Sequence, residues 1–152
     1  MDFSLSDEQL ALQEAARRFA REEIAPVAAT YDQSGEFPRA IIRRAWELGL
    51  ASTAIPAEYG GVGLPLVDSC LVTEEIAWGC AGFGTSIMCN DLGLTPIIVA
   101  GSEQQKREWL RASAERFTLV SFCLSEPNAG SDVAGLQLLA TRDGSDYRLD
   151  GA

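Results

Sequence analysis

The chain has 152 residues, 47% apolar and 22% charged, about one packed domain by the usual ~100–200 residues per domain. That composition excludes a disordered tail and a collagen-like fibre. Twelve basic residues against 22 acidic ones give a net charge of −10, with no histidine, so nucleic-acid binding by phosphate neutralisation and attachment to an anionic membrane surface are excluded.

The start, Met1-Asp2-Phe3-Ser4, is acidic, and the first basic residue is Arg17. Neither a secretory signal nor an Arg-rich transit peptide is expected. Ser6-Asp7-Glu8-Gln9 has the form of a capping box and opens a helix. Leu12, Ala15, Ala16, Phe19 and Ala20 form its apolar face, with Arg17, Arg18, Arg21 and Glu22 opposite. Pro26 should end or kink this helix. A second helix follows Phe37-Pro38, with Ile41, Ile42, Ala45 and Leu48 inward and Gly49 as its stop. Pro56 to Pro65, with Gly60, Gly61 and Gly63, predicts a loop. Leu66 to Trp78 predicts a central helix. Ser86 to Ala100 predicts one or two more, broken near Pro96, and Gly82-Phe83-Gly84 predicts close helix packing. Ser102-Glu103-Gln104-Gln105 repeats the capping box. It predicts a helix with Lys106, Arg107, Glu108 and Arg111 outward and Trp109 and Leu110 inward.

The period then changes. Thr118–Leu124, Leu136–Thr141 and Tyr147–Leu149 are β-prone runs, the last two joined through Asp143-Gly144-Ser145-Asp146, a hairpin-type turn. The expected fold is therefore mainly α. A helical domain of about five or six helices, residues 1–116, precedes the first strands of a β domain, residues 117–152. Asp150-Gly151 is a further turn signal, so we expect another strand beyond Ala152 and a longer parent protein. From Ala51 to Ala100 there are five acidic residues and no basic one, a stretch expected to be buried in the fold or against a partner chain. The longest uncharged run, Ile76–Asn90, is 15 residues broken by three glycines. It falls short of the ~18 apolar residues of a membrane span, and a soluble chain is expected. Cys70, Cys80, Cys89 and Cys123 form no Cys-x-x-Cys pair, no metal site is expected, and the four are expected to be reduced and mostly buried.

Candidate chemistry concentrates in Phe122-Cys123-Leu124-Ser125-Glu126-Pro127-Asn128-Ala129-Gly130-Ser131-Asp132. Its small residues let a ligand approach the backbone. Successive N–H groups and the Ser131 hydroxyl can form an anion nest able to bind a diphosphate without a lysine. Ser125 offers a donor to a flat, hydrogen-bonding ring. The alternative is an ordinary connection between strands, and Glu126 and Asp132 would repel an anion if they faced it. Glu74 or Glu75 can be a buried general base or, more commonly, a paired carboxylate. Met88 and Leu92, one helical turn apart, can line an apolar ligand channel or pack in the core.

In this order the residues resemble the N-terminal part of the acyl-CoA dehydrogenases, most closely the medium- and short-chain members. The likeness is carried by Phe3-Ser4-Leu5-Ser6-Asp7-Glu8-Gln9, Arg43-Arg44-Ala45-Trp46-Glu47-Leu48-Gly49-Leu50, Ile55-Pro56-Ala57-Glu58-Tyr59-Gly60-Gly61, Thr73-Glu74-Glu75-Ile76-Ala77, the run from Pro96 to Lys106, and Leu124 to Asp132. The resemblance implies a β-barrel middle domain and a C-terminal four-helix domain after the helical one. It implies FAD as cofactor, with Ser125 at the pyrimidine side of the flavin. Phe122, Cys123 and Leu124 would run along the ring, and Gly130 and Ser131 would meet the pyrophosphate. Ser131 would also approach the acyl-CoA, and Met88 and Leu92 would floor its acyl pocket. Asn128 replaces a more common glycine, a change eased by asparagine's tolerance of positive φ. The implied reaction is α,β-dehydrogenation of an acyl-CoA thioester to trans-2-enoyl-CoA in β-oxidation. Electrons would pass to electron-transfer flavoprotein, and the assembly would be a homotetramer in the bacterial cytoplasm or the mitochondrial matrix. The family's catalytic glutamate would lie beyond Ala152, so no catalytic residue is assigned and the chain alone should be inactive. An acyl-CoA oxidase or related flavoprotein, and a non-catalytic helical module, are the alternative readings.

Overall fold

The computed structural model describes residues 4–151. Residues 1–3 and 152 lie outside the described residues, and with them Phe3 of the first matched motif. Cα packing divides the chain after Ser121 into a helical unit and a smaller unit that begins at Phe122.

In the helical unit, α1 (Asp7–Phe19) runs on through a π-helical turn (Ala20–Ile24). The capping box is present: the Ser6 hydroxyl accepts from the Gln9 amide at 3.2 Å, and Gln9 Oε1 accepts from the Ser6 amide at 3.1 Å. α2 (Ala28–Ser34), which has no counterpart in the expected elements, follows Pro26 and ends at Gly35. α3 (Arg39–Glu47) begins behind Pro38 and stops at Gly49, whose φ is 72°. A loop with a short 3₁₀ turn (Ala57–Tyr59) leads to α4 (Leu66–Gly79) and α5 (Ala81–Ala100). Then α6 (Glu103–Gln105), a π turn (Lys106–Leu110) and α7 (Arg111–Glu115) form one continuous helical stretch. The main core gathers Phe19, Ile24, Ile42, Val72, Ile76, Phe83 and Ile87, and a second cluster holds Ile55, Tyr59, Leu94 and Leu110.

Several expectations are corrected. α5 starts at Ala81 and passes unbroken through Pro96. Proline removes one hydrogen bond, to the Leu92 carbonyl. Leu92 is 55% exposed, and the helix continues past this one missing bond. Thr118–Leu124 forms no strand. Instead of a neighbouring strand, the Asn90 carboxamide takes the Thr118 carbonyl at 2.7 Å and the Val120 amide at 2.8 Å. Trp109 is 56% exposed while Leu110 is buried, so only Leu110 of the pair takes the inward side of the π turn. Arg17 does not face away from the core. It donates to both carboxylate oxygens of Glu75, with Nε–Oε2 at 2.9 Å. Glu75 is 7% exposed, and unpaired it would be a costly buried charge. Its hydrogen bond and charge hold the Arg17 guanidinium above its usual range. None of the four cysteines is fully buried; Cys70 and Cys123 are exposed. The stretch from Ala51 to Ala100 is open in part, at Leu66, Val67, Trp78, Leu92 and Val99, so burial within the fold alone does not account for it, and burial against a partner chain is the alternative that stands.

By length and composition α5 could cross a membrane. Its middle, however, carries buried Asn90 and half-buried Asp91, whose carboxylate accepts from the Thr53 and Ala54 amides at 3.0 and 2.9 Å. Those contacts are the marks of a core helix.

Buried Tyr59 donates its hydroxyl to Glu103 at 3.1 Å. Burial first, then the Glu103 hydrogen bond, raise its pKa above the ordinary 10.0. A folded pKa above the unfolded one adds stability that is complete below the unfolded value and lost as pH rises through the folded one. The melting temperature should therefore fall as pH climbs past about 10, and fall less in Tyr59→Phe. Identical alkaline profiles for the two proteins would show that Tyr59 plays no part.

The second unit contains an antiparallel hairpin, β1 (Leu139–Asp143) with β2 (Asp146–Asp150), in register from Leu139 opposite Asp150 to Asp143 opposite Asp146. Gly144, with φ 64°, makes the turn that the Asp-Gly-Ser-Asp sequence predicts.

Candidate functional site

Six of the candidate residues, Phe122, Cys123, Leu124, Ser125, Gly130 and Ser131, belong to the second unit, and all six are exposed. They bracket a tight turn. The amide of Glu126 donates to the Ala129 carbonyl at 3.0 Å and the Ala129 amide returns to Glu126 at 3.1 Å, closing a loop over Pro127 and Asn128. Ala129 is the buried anchor, at 2% exposure. Asn128 has no positive φ, so that tolerance is not used.

The next residues are open. Among the described residues, no acceptor takes the amides of Gly130 or Ser131, and the hydroxyls of Ser125 and Ser131 have no partner. A Cβ added at Gly130 would meet nothing within 4 Å, so the main chain is bare on that side. The expected difficulty was the two flanking acids. Glu126 is turned back into its own unit, where its carboxylate accepts from the amides of Gln137 and Leu138, each at 2.8 Å. The Asp132 carboxylate lies beside Gly135. Free donors, an open glycine and an occupied glutamate suit an anionic group such as a diphosphate.

Met88 and Leu92 belong to the helical unit. Met88 is half-buried against the main core, whereas Leu92 is exposed. They are four positions apart on α5, one helical turn. Glu75 is held by Arg17 and is not free to act as a base, in keeping with the paired reading. It lines a groove of about 430 Å³ with Arg17, Arg21, Glu74 and Trp78. Two residues with clear roles were not singled out from the sequence, Asn90 and Asp91, and Glu126 was read only as a possible repeller of an anion. Asn90 and Asp91 were detectable, since Asp91 is the one charged residue of α5 and Asn90 adjoins it.

Residues 6–116 match the family described as acyl-CoA dehydrogenase, N-terminal domain. The whole chain aligns at 40% identity with a probable medium-chain specific mitochondrial acyl-CoA dehydrogenase of Caenorhabditis briggsae, spanning 37% of its length. A solved glutaryl-coenzyme A dehydrogenase in complex with glutaryl-CoA is 35% identical, with a TM-score of 0.91 over 99% of this chain and 39% of that one. An acyl-CoA dehydrogenase of Bacillus anthracis complexed with FAD is 31% identical, with a TM-score of 0.88 over 97% of this chain and 26% of that one. The chain thus spans well under half the length of these proteins, one mitochondrial and one bacterial among them. The family match takes in more than half of the chain, and the protein belongs to the acyl-CoA dehydrogenases, with residues 6–116 as the N-terminal domain.

Proposed function

We propose that this chain supplies the N-terminal portion of an FAD-dependent acyl-CoA dehydrogenase. The reaction is α,β-dehydrogenation of an acyl-CoA thioester to trans-2-enoyl-CoA, with electron-transfer flavoprotein as acceptor and a homotetramer as the working assembly. One observation carries the cofactor part: among the described residues, the turn after Ser125 leaves the Gly130 and Ser131 amides without acceptors and ties the Glu126 carboxylate to the Gln137 and Leu138 amides. The FAD complex of a relative supports the same choice.

In this reading the Gly130 and Ser131 amides and the Ser131 hydroxyl hold the pyrophosphate of FAD, and Ser131 also approaches the acyl-CoA. Ser125 donates to the pyrimidine edge of the flavin, and Phe122, Cys123 and Leu124 lie along its ring. Met88 and Leu92 offer an apolar wall to the acyl chain. FAD, when bound, supplies the acceptor for the β-hydrogen, which leaves as hydride. No residue of this chain is assigned as the base for the α-proton.

The test joins residues 1–152 to the remaining portion of the Caenorhabditis briggsae relative. The chimera should be yellow and should reduce a dye acceptor with acyl-CoA. Gly130→Val fills space that only a ligand would use, so its apoprotein should melt with the parent. It should bind FAD at least ~10-fold more weakly, since a lost hydrogen bond to a charged group costs about 1.5–3 kcal/mol. A folded chimera that stays colourless, or a Gly130→Val variant with parental FAD affinity, overturns the assignment.

A further inference from the structure

In the helical unit, Phe117 is flanked by cations. The guanidinium carbons of Arg39 and Arg43 lie 5.4 and 5.0 Å from the centre of its ring, within the ~6 Å reach of a cation–π contact. Trp46 packs on the same ring, with centroids 6.1 Å apart. Its indole is itself fixed by donating to the Ser113 carbonyl at 3.2 Å. Arg39 and Arg43 are one turn apart on α3, and both are exposed. Arg116, also exposed, precedes Phe117 in the chain.

Among the described residues, none of these three arginines has a carboxylate within 4.0 Å. Neighbouring acids are engaged elsewhere: Glu47 faces Arg44 and Glu115 faces Arg111. The first turn of α3 carries no acid at all. What sets Arg39 and Arg43 apart from the other arginines without an ion pair is that two guanidiniums share one aromatic ring. Two guanidiniums on one ring repel each other, and an anion between them relieves that repulsion. The ring also pre-orders both side chains, which lowers the entropic cost of a bound ligand.

We propose that Arg39 and Arg43 over Phe117 form a site for the phosphoryl group of a small-molecule ligand. The guanidinium fork matches phosphate oxygens in pairs, and several forks can share one phosphoryl group, whereas a carboxylate is filled by one or two. The site lies wholly within the helical unit and does not depend on the flavin reading.

The probe is inorganic pyrophosphate, titrated calorimetrically into the 152-residue chain at low ionic strength. Saturable binding is expected, and the Arg39→Gln/Arg43→Gln double variant should weaken it at least ~10-fold, as charge-assisted hydrogen bonds require. Arg18→Gln removes an arginine that also lacks a carboxylate in reach and should leave binding nearly unchanged. All these positions are exposed, so the variants should melt with the parent. ADP is the second arm. Equal affinity assigns the site to phosphoryl groups alone, and tighter binding assigns it to a nucleotide whose base uses the Phe117–Trp46 surface. Absence of saturable binding, or an equal loss in Arg18→Gln, overturns the proposal, the latter because net charge would then explain everything.

Discussion

Gly61→Ala is expected to destabilise the helical unit severely. A Cβ placed on Gly61 would sit 2.1 Å from the Ile55 carbonyl oxygen and 2.4 Å from the Ile55 Cβ. Neither atom is the free end of a flexible side chain. Ile55 is fully buried in the cluster with Tyr59, Leu94 and Leu110, and the Gly61 amide is held by the Pro56 carbonyl at 3.2 Å. The turn therefore folds back on itself through space that only hydrogen can occupy. Relief requires moving main chain out of a close-packed core, which places the cost at about 4 kcal/mol or more. A domain of this size has about 5–15 kcal/mol in total. Gly130→Ala is the matched control, since nothing lies within 4 Å of its added Cβ. Thermal unfolding followed by circular dichroism compares the two. A Gly61→Ala protein that melts within ~5 °C of the parent contradicts the geometry.

What could be read from the sequence was local chemistry. The capping boxes at Ser6 and Ser102 close over three residues, and the Gly49 stop and the Gly144 turn need only their own backbone. The Ser125–Ser131 stretch was visible for the same reason, because small residues after Pro127 announce an open main chain. What failed was decided at a distance. Arg17 was assigned to solvent from its helical phase, but its partner Glu75 is 58 positions away. Thr118–Leu124 has strand-forming residues, yet a strand exists only with a neighbour, and a side chain 28 to 30 positions upstream takes its hydrogen bonds instead. Glu126 seemed to oppose an anion site. Its carboxylate is instead held by amides 11 and 12 residues later, which no local rule anticipates.

Asn90→Leu is expected to cost about 3 kcal/mol, one to two unsatisfied buried polar groups at ~1–3 kcal/mol each. The native side chain is 3% exposed and makes three hydrogen bonds. Nδ2 donates to the Ser52 hydroxyl at 3.0 Å and to the Thr118 carbonyl at 2.7 Å, while Oδ1 accepts from the Val120 amide at 2.8 Å. Ser52 has φ 57°, a left-handed conformation that a non-glycine residue keeps only when its surroundings impose it. Leucine restores the volume, so the loss measured is polar rather than a cavity. Water has little room to replace the carboxamide. One turn along α5, a Cβ on Gly93 would already be 2.7 Å from Val120 Cγ1, so the exit segment lies flat on the helix there. Asn90→Asp sharpens the test. It keeps the acceptor for Val120, loses both donors, and sets a carboxylate against the Thr118 carbonyl, so it should be at least as destabilising as leucine. Hydrogen exchange separates the two ways this segment could be held. If the carboxamide holds it, the Val120 amide loses protection in Asn90→Leu well beyond the global change in stability. If packing at Gly93 suffices, Val120 exchanges as in the parent, and the role assigned to Asn90 is wrong.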